Sequence, residues 1–477
     1  MKNYNQALGA LLFLSGGASA TAAATSGSFN VLSMNVAGLP AILNNNDVPG
    51  NKKTNSEMIG TKFSQLGYDI IHVQEDFNYH AYIYKTDTHP YRTATSGGVP
   101  FGSGLNTLSN YPFEDFARVK WDECSNASGA DCLTPKGFTF MRVALSPSSS
   151  SSSEGVYIDV YNLHADAGTE DGDLDARASN IRQLSSTILS QSSGNAVLVY
   201  GDTNSRYTRA RDVISVLGTE NGLTDTWVEL TRAGSVPPTP ANPDAAPPCA
   251  NPAQEGGGDS GCEVVDKILY RGSPLLHLSA THFAYESAKF LQPDGSSVLS
   301  DHNPITANFT WSTASTPLRQ SPFFGGDNTG GTWFSDVPAL AAKLSSSSSS
   351  TVIKISTITF RGASRLDSVA VTLADGTNLV HGGDGGVASS LALDVDAGET
   401  WVVAHLCKGL KNKKKIGSGQ MRNFYIKATT STGRVLEAGT PTDDCATFEA
   451  PPGWAIVGFL GRDGDEMDKL AFVYAPQ

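Results

Sequence analysis

Acidic, amide and imidazole side chains stand at the ends of apolar runs along the longer, first part of this sequence. Asn35 closes Phe29-Asn-Val-Leu-Ser-Met34, Gln74-Glu75 closes Asp69-Ile-Ile-His-Val73, and His164 closes Val156-Tyr-Ile-Asp-Val-Tyr-Asn-Leu163. Gly201-Asp202-Thr-Asn204, Val265-Asp266-Lys-Ile268 and Ser300-Asp301-His302 follow in order. Carboxylates with an amide are hard oxygen donors of the kind magnesium, calcium or manganese takes, whereas zinc would ask for more nitrogen or sulfur. A histidine whose tautomer is fixed by a carboxylate can accept a proton from water near neutrality. Metal and base together describe a hydrolase.

Read singly, each group has a purely structural alternative. Asn35 can satisfy backbone at a strand end, Asp202 with Asn204 can form a turn, and Asp266 can be a surface acid. His164 can be a hydrogen-bonded core histidine, and Ser-Asp-His-Asn-Pro is ordinary turn chemistry. His72 and His89 lack the surrounding pattern and are read as structural. The order and spacing of the whole set carry the chemical reading.

The elements that must position these tips alternate between short strands and helices, which is an α/β pattern. Phe29 to Met34 and Asp69 to Val73 read as strands, with a helix across Ser56 to Leu66 between them. Val156, Ile158 and Val160 fall on one strand face, and His164 continues it by parity. Ile181, Leu184 and Ile188 recur at helical spacing before the buried-looking strand Ala196 to Tyr200. In such a sheet the strand ends converge on one crevice, so these segments can build a single site. Ser148 to Ser153 reads as a hairpin loop. Pro237 to Gly261 reads as a long loop, either a substrate-recognition element or an inert insertion.

Over residues 26 to 312 the ordered set resembles the endonuclease/exonuclease/phosphatase superfamily, on Asn35, Gln74-Glu75, His164, Gly201-Asp-x-Asn204, Asp266 and Ser300-Asp-His302. The resemblance implies a four-layer α/β sandwich, two packed β-sheets flanked by helices. It implies that Glu75 binds a divalent metal, with Asn35 and Asp301 near the metal or the phosphate. His302 becomes the general base, oriented by Asp266; Asp202 and Asn204 position water, and His164 contacts the phosphate or the leaving oxygen. Asn35-Val-Ala-Gly-Leu39-Pro40, Gln74-Glu-Asp-Phe77, Gly102-Ser-Gly-Leu105 and Ser109-Asn-Tyr-Pro112 are similar to segments of the sphingomyelinase branch. An aromatic often follows the acid where this chain has Lys267, and no aromatic membrane-insertion hairpin is evident.

From Phe323 onward the pattern turns to glycine-punctuated strands with almost no helical periodicity, an all-β domain with runs Thr351 to Phe360, Ser368 to Leu373, Leu391 to Val395 and Ala455 to Leu460. Phe324-Gly-Gly326, Ile358-Thr-Phe-Arg-Gly362, His381-Gly-Gly383 and Gly461-x-x-Gly464-x-x-x-Asp468 resemble jacalin-related lectins. The resemblance implies a β-prism in which Gly326, Asp465, Glu466, Met467 and Asp468 hold a sugar. The basic run Lys408 to Lys415 reads either as a contact for anionic lipid or glycan or as a solvated hairpin tip, the commoner case.

Composition bounds the rest. A chain of 477 residues exceeds one core. Lys2, the apolar Ala7 to Leu14 and the small residues that follow read as a signal peptide over residues 1–24, hence a secreted protein. A catalytic domain is expected at 25–312, a linker at 313–322 and a lectin-like domain at 323–477. Cysteines pair by proximity as Cys124 with Cys132, Cys249 with Cys262 and Cys407 with Cys445. Asn126 and Asn308 head glycosylation sequons. The net charge of −13 argues against bulk binding of nucleic acid. Expected partners are a phospholipid or other phosphodiester substrate, a cell-surface glycan and a peripheral membrane contact, with the chain a monomer. The rivals are a secreted nuclease and a carbohydrate-binding protein with a silent hydrolase domain.

Overall fold

The computed structural model describes residues 24–44, 46–146, 154–238, 246–252, 261–327, 330–345, 352–411 and 420–477. The expected signal peptide, the serine loop at 148–153, much of the 237–261 loop and half of the basic tip lie outside these residues, apart from Ala24 in the first.

The first part contains strands β1 (Ser26–Asn35), β2 (Ile70–Gln74), β3 (Tyr91–Arg92), β4 (Asn106–Ser109), β5 (Phe113–Lys120) and β6 (Gly137–Ser146). They are followed by β7 (Val156–His164), β8 (Val197–Asp202), β9 (Thr224–Asp225), β10 (Asp266–Arg271), β11 (Leu276–Tyr285) and β12 (Ile305–Thr313). They form two six-stranded sheets, β11-β12-β1-β2-β4-β3 and β5-β6-β7-β8-β10-β9. Phe29, Val31 and Ile70 of one sheet and Val160, Leu198 and Tyr200 of the other share one core, while Leu32, Met34, Ile71 and Val73 pack on Ile59 and Phe63 of a helix. Burying each such side chain contributes about 1.5–3 kcal/mol. Mixed α/β sheets with few helices are thus followed by an all-β domain.

Two helices start earlier than the apolar spacing indicated. The first spans Lys52–Leu66 because Asn51 caps it, its side chain accepting from Lys53 and Thr54 N–H. The second spans Asp171–Gln191, opened by a reciprocal cap between Glu170 and Asp173. β7 is buried along almost its whole length, on both faces. Its solvent-type position Asp159 is closed by Arg142 at 2.8 Å rather than by water.

The second part folds as sheets of five, four and four strands around Phe360, Trp401, Phe459 and Phe472. It also contains a helix, Val337–Ser345, too short for its spacing to stand out in the sequence; Val337 and Leu340 anchor it. Arg319–Gln320 pairs with Tyr474 and Val473, so chain expected to link the domains adds a strand to the second one. All three disulfides have the pairing read from proximity.

A charged seam joins the two parts. Lys469 reaches Glu114 at 2.8 Å, Asp115 at 3.2 Å and Asp327 at 2.6 Å. Arg142 lies 3.9 Å from the Trp333 ring and 4.7 Å from that of Phe323, and pairs with Asp115 and Asp159. Burying these charges is tolerable because each is matched.

Candidate active site

Strand register brings the polar tips together. β1 and β2 run parallel with Asn35 level with Gln74; β7 and β8 run parallel with His164 level with Asp202; antiparallel β10 begins with Asp266 level with Asp202. The two sheets therefore deliver their ends to one cleft. Buried polar links brace them from behind: Gln74 donates to Asn162 at 2.8 Å, and His72 Nδ1 meets the Tyr200 carbonyl at 3.0 Å.

Asn35 spans the sheets, its amide N–H groups donating to Glu75 at 3.2 Å and Asp202 at 3.3 Å, while its oxygen accepts from Ala37 N–H. Glu75 sits in left-handed backbone (φ 55°), as does Asn204 (φ 48°), and both positions are costly for residues with a side chain. Close packing holds that turn. A Cβ on Gly38 would lie 2.3 Å from the Glu75 carbonyl, and one on Gly104 would lie 2.7 Å from the Phe77 ring. Beneath it, the buried carboxylate of Asp76 receives His80 Nδ1 at 2.6 Å and Asn106 at 2.7 Å.

His302 Nδ1 meets Asp266 at 2.9 Å, and its Nε2 lies 3.7 Å from Asp202. One fifth of its side chain is exposed, so the cleft reaches it. His164 Nε2 lies 3.3 Å from Asp202, and Asn204 donates to the Ala165 carbonyl at 3.1 Å. Burial opposes the His302 imidazolium, but Asp266 and Asp202 outweigh it and hold the ring well above its ordinary value. Burial, with Lys136 and His302, holds His164 well below its ordinary value, so that ring is neutral. Burial pushes Asp202 up to about 6, with His302 opposing and Asp266 adding. Burial also raises the Glu75 carboxyl, and Asp301 adds to it.

Asp202, Asp266 and His302 present ligand atoms within 4.8 Å of one another. Glu75 Oε2, Asp266 Oδ1 and His164 Nδ1 are buried with no hydrogen-bond partner. Buried carboxylate oxygens without donors are costly. A hard divalent cation would relieve that cost, so the donor set fits one. Asp301 stands apart: it is exposed, and its carboxylate accepts from Asn46 at 2.9 Å.

Lys136 was not distinguished by its sequence, a single lysine before β6. It lines the cleft of about 340 Å³ with Glu75, His164, Asp202, Asn204 and His302, and it pairs with Asp131. Only its place just before a strand that runs out of the crevice, antiparallel to β7, could have pointed to it.

The residues expected to hold sugar are clustered but engaged. Asp468 is buried and meets Arg422 at 2.8 Å; Glu466 pairs with Arg365 and lies 3.4 Å from Lys411. Gly326 N–H donates to the Asp468 carbonyl, Met467 is buried, and Asp465 is exposed.

Residues 38–242 match Endonuclease/Exonuclease/phosphatase family 2, and residues 323–473 match the jacalin-like lectin domain. The chain carries an endonuclease/exonuclease/phosphatase domain joined to a jacalin-like lectin domain. A sphingomyelinase from Mycobacterium tuberculosis is 34% identical over 291 residues, 60% of this chain and 53% of the relative. The Mycobacterium bovis sphingomyelinase gives the same figures. The chain thus spans about half the length of the curated relatives it matches. Sphingomyelinase C from Streptomyces griseocarneus is 17% identical, with 59% of this chain and 99% of that chain covered and a TM-score of 0.39. AcmJRL, a mannose-binding jacalin-related lectin from Ananas comosus, is 17% identical, with 34% of this chain and 99% of that chain covered and a TM-score of 0.26. The residues lining the cleft run from Leu39 to His302, and all precede the lectin-like match.

Proposed function

We propose that the protein is a secreted, divalent-metal-dependent phosphodiesterase whose substrate is a sphingomyelin-type phospholipid. The observation that carries this reading is the meeting of Asn35, Glu75, His164, Asp202, Asp266 and His302 at one cleft, Glu75 keeping an unpaired buried oxygen. The sphingomyelinase relatives supply the substrate class.

Glu75 is the first ligand for magnesium or another divalent cation, with Asp202 facing the same space and Asn35 holding the two carboxylates together. When bound, the cation would polarise the phosphoryl oxygens and offset the carboxylate charge that now favours the His302 imidazolium. Asp266 accepts a hydrogen bond from the Nδ1–H of His302, leaving Nε2 to accept a proton from water. As the water oxygen bonds to phosphorus, the bond to the leaving oxygen breaks; that oxygen takes up a proton from solvent water, and His302 returns to solvent the proton it accepted. The products are a phosphomonoester and an alcohol. Asn204 lines the water side of the cleft. Neutral His164 fixes Asp202 through Nε2, and Lys136 is the ammonium group available to phosphate oxygens.

Asp301 is proposed to act at a distance through its charge, since its side chain is held by Asn46. For the lectin-like domain we infer a weak glycan contact that tethers the enzyme to a surface. Weakness follows from Asp468 and Glu466 already meeting Arg422 and Arg365. The test is phosphocholine release from sphingomyelin under magnesium titration, run beside a plasmid-nicking assay. Release abolished by His302→Ala supports the reading; nicking without lipid turnover replaces it with a nuclease. Glycan binding without turnover of any phosphoester leaves only the lectin.

A further inference from the structure

The two most exposed large apolar side chains among the described residues are Ile42, at 93%, and Phe101, at 85%. Ile42 belongs to a loop that lines the cleft, and Phe101 to a loop that rests on the turn after the cleft-lining Phe77. Leu39 and Leu43 line the cleft beside Ile42, and Leu43 is itself 55% exposed. The loop bearing Phe101 rests on the Phe77–Asn78 turn: Val99 N–H donates to Asn78, and Gly104 abuts the Phe77 ring that lines the cleft. Leu133, 44% exposed, also lines the cleft, one residue beyond the Cys124–Cys132 disulfide.

The first loop is not loose. The Lys52 ammonium donates to the carbonyls of Ala37, Leu39 and Asn44 and to the Asn46 side chain, at 2.7 to 2.9 Å. A buried lysine thus holds an apolar tip outward, an arrangement that lowers solubility unless something apolar receives it.

Charge selects the recipient. Leu39 to Asn44, Gly97 to Ser103 and Ser125 to Pro135 contain no lysine or arginine, and their one ionisable side chain is Asp131. Surfaces that read anionic lipid use clustered basic side chains. We propose that these three loops form a membrane-docking rim for a zwitterionic phospholipid surface, with Ile42 and Phe101 entering the headgroup–acyl boundary and the cleft opening onto the bilayer. The proposal rests on the phosphodiesterase reading for its purpose, while its physical basis is the rim itself.

The test uses the full chain in chelator, so that no lipid is turned over, with sucrose-loaded vesicles of phosphatidylcholine and sphingomyelin. Wild type co-sediments, and Ile42→Ser with Phe101→Ser lowers the partition coefficient about tenfold each and about a hundredfold together. Phosphatidylserine added to the vesicles does not strengthen binding. With magnesium, the double variant loses vesicle hydrolysis but keeps wild-type turnover of soluble bis(p-nitrophenyl) phosphate. Equal sedimentation of wild type and double variant overturns the proposal, as does wild-type binding only to vesicles with anionic lipid. If neither form cleaves any phosphodiester, the catalytic reading fails while sedimentation still decides this one.

Discussion

Asp266→Asn removes charge and keeps shape at the contact that orients His302. Asp266 Oδ2 lies 2.9 Å from His302 Nδ1, with the Asp266 side chain buried and one fifth of the His302 side chain exposed. A hydrogen bond to a charged group contributes roughly 1.5–3 kcal/mol, which corresponds to about a 10- to 150-fold loss of kcat/KM. The asparagine amide can also donate toward Nδ1 and favour the wrong tautomer, which moves the loss to the upper end or beyond. The assay is initial-rate phosphodiester hydrolysis at saturating magnesium, with thermal melting as a check on folding. The effect is expected in kcat, as the role proposed for Asp266 at His302 requires. A folded Asp266→Asn protein with wild-type kcat/KM would refute the assignment of His302 as a base oriented by Asp266.

Three further outcomes follow from the same structure. Burial holds His72 down at about 3, so the unfolded chain binds a proton near pH 6.5 that the folded chain refuses. Stability is therefore full above pH 6.5 and falls by about 1.4 kcal/mol per unit as the pH drops toward 3; denaturant titrations of wild type against His72→Asn should show that extra slope only in wild type. Lys469→Ala leaves Glu114 and Asp115 without their ammonium at the domain seam and should cost about 3–5 kcal/mol by calorimetry, whereas a loss under 1 kcal/mol would mean the seam is wet. Asp76→Ala frees His80 and Asn106 beneath the Glu75 turn and should raise the apparent magnesium constant about tenfold, with Asp76→Asn recovering part of the loss.

The site's outline was legible because each chemical group stands at one end of an apolar run; parallel pairing carries the ends of β1, β2, β7 and β8 to one edge, and antiparallel β10 brings its first residue, Asp266, to the same edge. Register did the rest: His164 and Asp202 could be placed side by side only once β7 was known to pair with β8. What stayed hidden was set by contacts distant in sequence. Asp301 and His302 are neighbours in the chain, yet one faces Asn46 and the other Asp266, a divergence that turn geometry decides. Lys136 carries no local signal, because its importance comes from the cleft it faces. The Val337–Ser345 helix was missed because nine residues give too few turns for a period to show. Arg422 lies far along the chain from Asp468, so a lectin-like acidic loop gave no sign of its internal partner.

The central claim is that strand ends from two sheets gather around one divalent cation. Anomalous diffraction from crystals soaked in manganese tests it most directly. A single strong peak within coordination distance of Glu75 Oε2, beside Asp202, is the expected result. A peak on another face of the domain, or full occupancy retained in Glu75→Gln crystals, would contradict it.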